Sequence, residues 1–218
     1  MQFRNWLLLL IPLAYIVGSI PFGLIVGLAQ GVDPRKAGSG NIGATNVGRL
    51  LGGKFFALVF SLDLLKGFGP TVAAAILLHG HPRSREDYLL WLLIGFAAIA
   101  GHMCSIFLSF KGGKGVATGC GVALGVFPYF TIPALIAVAV FLAVFFGTRI
   151  VSLASIIGAI VVPIAYIAMG LLMHWDITGE QLPLLIFSIL LCVLLIYRHR
   201  GNIARLRAGT ENRFVKKS

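Results

Sequence analysis

The chain has 218 residues, of which 58% are hydrophobic and only 11% charged, with a mean hydropathy of +0.96. Soluble domains carry roughly 25% charged residues, so this composition excludes a soluble fold and predicts an all-α, polytopic integral membrane protein. Lys and Arg outnumber Asp and Glu by 18 to 7. In a membrane protein that excess first marks cytoplasmic helix ends and contacts with anionic lipid, so membrane lipid is an expected partner and nucleic acid is not.

A spanning helix needs about 20 apolar residues, and the first such run is Trp6–Gln30. Gly27-Leu28-Ala29 has the small residues of a leader cleavage site. The run before it is long, however, and contains Pro12 and Pro21, with only Arg4 as a positive leader, so it is read as a retained crossing. A polar cluster follows at residues 38–49, reading GSGNIGATNVGR. Gly38, Gly40 and Gly43 predict loop until about Asn41, where a helix is expected to begin. On that helix Asn41, Thr45 and Arg49 are spaced i, i+4, i+8 and share one face. Ser39 and the Gly40 backbone then lie at its N-terminus, where free N–H groups and the helix dipole favour an anion. A guanidinium at Arg49 can take two phosphate oxygens at once. Tight helix packing explains the glycines, but it does not call for Asn41, Thr45, Asn46 and Arg49 together.

The second run, Phe55–Leu78, carries Asp63 and Lys66 at i, i+3. Lone charges inside a membrane are costly, so the two are expected to pair; a proton or ion path is the competing role. The third run, Leu89–Leu108, holds His102 some two turns before the second cluster, residues 110–119. An intramembrane His is either a hydrogen-bonded helix contact or a participant in the chemistry. Lys111-Gly112-Gly113-Lys114-Gly115 resembles a phosphate loop without being a Walker A sequence. That motif needs Ser or Thr after its Lys to hold magnesium, and here Gly115 follows Lys114. No carboxylate stands ready for magnesium either. The expectation is an anion site without metal or cofactor, built from two ammonium groups and glycine backbone.

The stretch 116–146 is long for one crossing and short for two, and Pro128 and Pro133 interrupt it, so it divides near Pro128. Ile150–Met173 is the next run. Ser152 and Ser155 near its start, beside Arg149, add donors at the same face, or serve as interhelical glue. The last run, Leu182–Tyr197, ends at Arg198-His199-Arg200-Gly201-Asn202-Ile203. On a helix His199 and Asn202 are i, i+3 neighbours and Arg198 and Asn202 are i, i+4. A basic stop at the headgroups explains the arginines but neither His199 nor Asn202. The remaining tail, with Arg205, Arg207, Arg213, Lys216 and Lys217, reads as surface attraction to anionic lipid. Cys104, Cys120 and Cys192 form no CxxC and read as small buried hydrophobes.

Seven crossings follow, in a single domain spanning 1–218 with a basic tail from about 198. Seven place Arg35, Lys36, Arg49, Lys54, Lys111, Lys114, Arg149 and all seven tail charges on one side, and only Arg4, Arg83 and Arg85 on the other. Six crossings would move Arg149 and the tail to the opposite face. The positive-inside rule therefore favours seven, with the N-terminus outside and the C-terminus cytoplasmic. All three polar clusters then share the cytoplasmic face.

With these residues in hand, the chain resembles the bacterial glycerol-3-phosphate acyltransferases that use acyl phosphate as donor. The resemblance runs nearly end to end and rests on GSGNIGATNVGR at 38–49, FKGGKGVAT at 110–118 and the RHxxNI pattern at 198–203. Cys104 and Ser105 depart from the family, which has Phe-Pro there. The resemblance implies a seven-helix enzyme of the bacterial inner membrane that makes 1-acyl-glycerol 3-phosphate with no cofactor. It also implies contact with the soluble enzyme that makes acyl phosphate. By resemblance Ser39, Asn41, Thr45, Arg49, Lys111 and Lys114 bind substrate phosphate, and His199 and Asn202 lie at the glycerol hydroxyls; Gly40, Gly112, Gly113, Ser152, Ser155 and Arg198 are candidate phosphate-binding residues from their places in or beside the clusters. The proton acceptor stays open among His199, His102 and a substrate phosphate, whose second pKa near 6 suits a weak base.

A transporter of an organic phosphate is the rival from another class. It would need its basic groups exposed alternately to both faces near the midplane, whereas these clusters lie on one. A membrane anchor that docks lipid through its basic tail leaves Ser39, Asn41 and His199 unexplained.

Overall fold

The computed structural model describes residues 2–81 and 83–214, apart from the side chains of Gln2 and Phe3. Lys216, Lys217 and their expected lipid contacts lie outside the described residues. Ten α-helices follow one another with no strand among the described residues. The apolar run expected as one crossing is two helices, α1 (Gln2–Ser19) and α2 (Phe22–Ala29). Pro21 causes the break, because it has no N–H to continue the ladder. α3 (Ala44–Leu51) is short, and α4 (Gly53–Leu77) is the longest at 25 residues. α5 (Arg85–Met103) opens on a capping box in which Ser84 and Asp87 exchange hydrogen bonds, reinforced by Arg4 Nε donating to Asp87 at 2.9 Å.

The ambiguous stretch divides where expected. α6 (Val116–Gly125) and α7 (Thr131–Thr148) flank Pro128. α8 (Val151–Leu172), α9 (Leu182–Arg198) and α10 (Arg200–Arg207) complete the chain. Length and composition mark four stretches able to cross a membrane: Arg4–Ala29, α4, α7 and α8. A fifth follows if α9 and α10, bent by 59°, count as one. α6, at 10 residues, rises only about 15 Å, half of a typical hydrocarbon core.

Small residues bring these helices together. A Cβ on Gly67 would strike the Thr118 carbonyl, and one on Gly121 would strike the Leu64 carbonyl, so α4 and α6 meet backbone to backbone. Gly18 and Gly101 join α1 to α5 in the same way. Trp91, Ile94, Ile99, Val122, Phe130 and Tyr166 fill the centre with almost no exposure. Leu9, Leu135, Phe146, Ile164 and Leu190 point outward, as lipid-facing positions do.

Candidate active site

All three sequence clusters meet at one cavity of about 660 Å³. Ser39, Asn41, Thr45 and Arg49 reach it from the first, Lys114 from the second, and Arg198, His199, Arg200 and Asn202 from the third. Ser152 and Ser155 line it from α8.

The first cluster is organised differently from the expectation. Its helix, α3, begins at Ala44 rather than Asn41, with extended Gly43 as the cap. Thr45 and Arg49 keep their i, i+4 relation, while Asn41 belongs to the loop and accepts the Gly43 N–H at 2.8 Å. The loop is built around buried Asn46. Its Oδ1 accepts from Ser39 N at 2.8 Å, and its Nδ2 donates to the Pro34 and Ala37 carbonyls at 3.0 and 3.1 Å. Gly38 (φ +61°) must be glycine, since a Cβ would run into that Oδ1. Asn46 thereby sets Ser39 at the cavity edge. Gly40 is exposed and lies off the lining.

In the second cluster Lys114 turns inward and Lys111 does not. Lys114 Nζ donates to Asn202 Oδ1 at 2.5 Å, whereas Lys111 is exposed and outside the lining. Gly112 and Gly113 lie against His102: a Cβ on Gly112 would meet its carbonyl, and one on Gly113 its imidazole. Their lack of side chains lets the loop sit on α5, with Gly113 N donating to the His102 carbonyl at 3.0 Å. Arg198 Nη2 donates to the Gly113 carbonyl at 2.7 Å and ties the loop to α9. His199, directly after α9, has Nδ1 2.7 Å from the Leu195 carbonyl. A carbonyl only accepts, so Nδ1 carries the hydrogen and Nε2 is left as an acceptor. Burial pushes the His199 pKa down to about 4, which keeps the ring neutral at neutral pH.

The tail is not purely a lipid-binding strip. Arg205 lines the cavity and its Nε donates to Glu211 at 2.7 Å. The Glu211 carboxylate also accepts from Ser152 Oγ at 2.7 Å and Asn202 Nδ2 at 2.5 Å. These hydrogen bonds outweigh the cost of its burial and hold its pKa below the ordinary range. Arg49 Nη2 donates to the Asn212 carbonyl at 3.0 Å, and Phe214 stacks edge-on against Phe56 and Phe145. Glu211 was absent from the sequence reading. Its one signal is that it is the sole carboxylate after Glu180 in a run of arginines and lysines.

A second, apolar groove of about 250 Å³ adjoins the cavity and shares Phe56, Phe60, Val116, Phe141 and Ser155 with it. Ala123, Ala137, Gly158, Ala159 and Leu191 continue its walls. Among the described residues no group of three or more His, Cys, Asp or Glu side chains is placed to hold a metal ion.

Fold and cavity together define a multi-pass, all-helical membrane protein in which a cation-rich polar chamber adjoins an apolar groove. The chain belongs to the glycerol-3-phosphate acyltransferase family, whose model matches residues 8–209. The glycerol-3-phosphate acyltransferase of Geobacter sulfurreducens is 46% identical over 209 residues, covering 95% of this chain and 97% of the relative. That of Aquifex aeolicus is 42% identical over 207 residues, covering 95% and 98%. The solved structure of PlsY (YgiH), an integral membrane glycerol 3-phosphate acyltransferase in its glycerol 3-phosphate form, superposes with a TM-score of 0.81 at 42% identity, covering 96% of both chains. Its lysophosphatidic acid form gives 0.78 at 41%, covering 96% and 95%. The transporter alternative is set aside, since these relatives are acyltransferases.

Proposed function

We propose that the chain transfers the acyl group of acyl phosphate to glycerol 3-phosphate, releasing 1-acyl-glycerol 3-phosphate and phosphate at the cytoplasmic face of a bacterial inner membrane. The observation that carries this reading is the junction of the two cavities: phosphate donors on one side of Phe56, Phe60 and Phe141, and an apolar groove on the other. An acyl phosphate laid across that junction puts its chain in the groove and its anhydride among cations.

Ser39, Asn41, Thr45, Arg49, Lys114, Ser152, Ser155 and Arg198 face the two phosphates, and His199 and Asn202 face the glycerol hydroxyls. Lys111, Gly40, Gly112 and Gly113 act from outside the chamber, Lys111 as an exposed charge for the arriving anion and the two glycines as the seat of the loop. The hydroxyl oxygen attacks the acyl carbonyl carbon, the bond from that carbon to the phosphate oxygen breaks, and phosphate leaves with the electron pair and finally the hydroxyl proton. The donor is already an activated anhydride, so positioning two anions and stabilising the developing oxyanion suffice. Neutral His199 can accept a hydrogen bond from the hydroxyl through Nε2, which orients it. Purified protein given acyl phosphate and radiolabelled glycerol 3-phosphate, with no thioester present, is expected to form labelled lysolipid. An unlabelled lipid fraction would remove the reading.

The chemistry requires no divalent ion, since cationic side chains already face the phosphates. Activity is expected to persist in excess EDTA; loss that magnesium restores would sink the metal-free site. As for topology, α1–α2, α4, α5, α6, α7, α8 and α9 supply the seven crossings of one membrane-embedded unit, with the N-terminus outside. In a background free of native cysteines, Ser84→Cys is expected to label from outside and Ser218→Cys from the cytoplasm. Labelling of both from one side would overturn the division near Pro128.

A further inference from the structure

The apolar groove has a floor and an exposed edge, and the two decide what becomes of a long acyl chain. On α6 the lining runs from Val116 to Ala123, on α8 from Ser155 to Val162 and on α9 from Ser188 to Leu195. That is seven residues of advance on each helix, a rise of about 10 Å. One turn deeper on the same stripes stand Val126, Tyr166 and Leu184, each 0% exposed, with Phe130 of α7 beside them at 1%. The Phe130 and Tyr166 rings meet edge to face, their centroids 5.2 Å apart. The floor is packed core and gives a chain no way through.

The hydrocarbon core of a bilayer is about 30 Å thick, or about 15 Å for each leaflet. A chain that fills its leaflet is longer than the groove, and with the floor closed its remainder has to lie to one side. That side is α7, where only Pro133, Ala134 and Ala137 are buried, so the helix forms an outer wall. Among the described residues that line the groove only Leu142 is exposed, at 43%, and Val138, one turn away on α7, is half-buried. A side chain that lines the groove and also faces outward stands on the edge between groove and lipid. An opening there also gives the chain its way in. Drawn through the cation-rich chamber, a long chain would leave lipid for water and charge, at a cost that grows with every methylene. Moved sideways from the bilayer, it stays in apolar surroundings throughout.

We propose that Val138 and Leu142 form a lateral slit, through which the acyl chain of the donor slides into the groove from the membrane and past which the length that the groove cannot hold stays in lipid. The two are specificity-determining residues for the donor: a chain short enough to be housed in the groove does not need the slit, and a longer one does. Beyond the length that fills the groove one chain is handled much like another, because its excess stays in lipid before and after binding. This inference rests on the acyltransferase reading above and adds the route of the chain.

The test compares octanoyl, lauroyl, palmitoyl and stearoyl phosphate as donors for the full-length protein in lipid vesicles, as wild type, L142W and V138A/L142A. In wild type kcat/KM is expected to level off with chain length, palmitoyl and stearoyl phosphate agreeing within about twofold, since their excess only rests in lipid. L142W crowds the slit and is expected to lower kcat/KM for palmitoyl phosphate about tenfold or more, with octanoyl phosphate within about threefold of wild type. The octanoyl reaction thereby reports that the variant is folded. V138W repeats the comparison one turn away where L142W fails to insert, and V138A/L142A, which widens the slit, should keep palmitoyl transfer at or above the wild-type rate. Equal losses on octanoyl and palmitoyl phosphate, or no loss on either, would overturn the slit. A wild-type efficiency that falls steeply from palmitoyl to stearoyl phosphate would overturn it too, since the floor would then be measuring the chain. Failure of the acyltransferase reading is seen separately, as wild-type protein that makes no lysolipid from any of the four donors.

Discussion

Lys114→Ala is expected to lower kcat/KM for glycerol 3-phosphate by a factor of about 1,000 or more, a loss of roughly 4 kcal/mol in transition-state stabilisation. Lys114 is where the clusters converge: its ammonium lies on Asn202, whose amide in turn lies on Glu211. Arg49, Arg198 and Arg205 stand close enough to affect its titration. An anion entering among them meets Lys114 in a partly dehydrated setting, where a charge is worth far more than in water. The same setting makes the charge conditional. Burial, and then the neighbouring arginines, push the Lys114 pKa down to about 8 against the opposing pull of Glu211. The ammonium is present below that value and is lost as pH rises through it. KM for both phosphate substrates is therefore expected to rise above about pH 8 in wild type. Lys114→Arg, whose guanidinium stays charged, should lack that alkaline rise even if its fit is poorer. A Lys114→Ala enzyme within tenfold of wild type, or an alkaline limb unchanged in Lys114→Arg, would show that Lys114 is not the anion's main partner.

The elements legible in the sequence were those set by one-dimensional signals. Apolar runs marked α4, α8 and α9, and the prolines near 128 divided α6 from α7. Pro21 is visible too, but a proline inside an apolar run either kinks or breaks a helix, and Pro12 and Pro70 lie inside unbroken helices while a helix ends before Pro21. The start of α3 was misplaced by three residues. Asn41 is expected to open the helix, yet its side chain accepts the Gly43 N–H and closes a loop turn instead. The polar clusters were found because Asn, Ser and His at a membrane end have no packing reason to be there. Gly112 and Gly113 were read as phosphate-binding backbone, while their contact with His102 depends on how α5 meets the loop, which no local pattern encodes. Glu211, and the approach of Asp63 to His102, are hidden for a similar reason. Each makes its contacts across the fold or the chain fold-back, Asp63 with His102 on α5 and Glu211 with Ser152 on α8. Spacing arguments see neighbours within a helix, and so they found Asp63 with Lys66 but not Asp63 with His102.

Arg49→Lys is expected to lower kcat/KM by roughly 10- to 100-fold, the worth of one or two hydrogen bonds to a charged group. Arg49 gives one N–H to the Asn212 carbonyl at 3.0 Å, while its Nε is buried with no partner among the described residues. A buried donor left free on a residue of the cavity wall is a costly arrangement unless a ligand takes it. A planar guanidinium can keep the tail contact with one nitrogen and offer two others to a phosphate; an ammonium keeps the charge but cannot do both. Arg49→Ala should fall further, losing charge as well as geometry. The phosphate of glycerol 3-phosphate lies away from the attacking hydroxyl, so it is held equally in ground and transition states. The loss should then appear chiefly as a higher KM for glycerol 3-phosphate, with kcat within a few-fold of wild type. A matching fall in kcat would instead assign Arg49 to the donor phosphate, where charge develops as the anhydride breaks. If Arg49 only anchors a helix end at the cytoplasmic face, Lys serves equally well there. Near-wild-type kinetics in an Arg49→Lys protein that inserts and melts normally would therefore end the phosphate-clamp assignment.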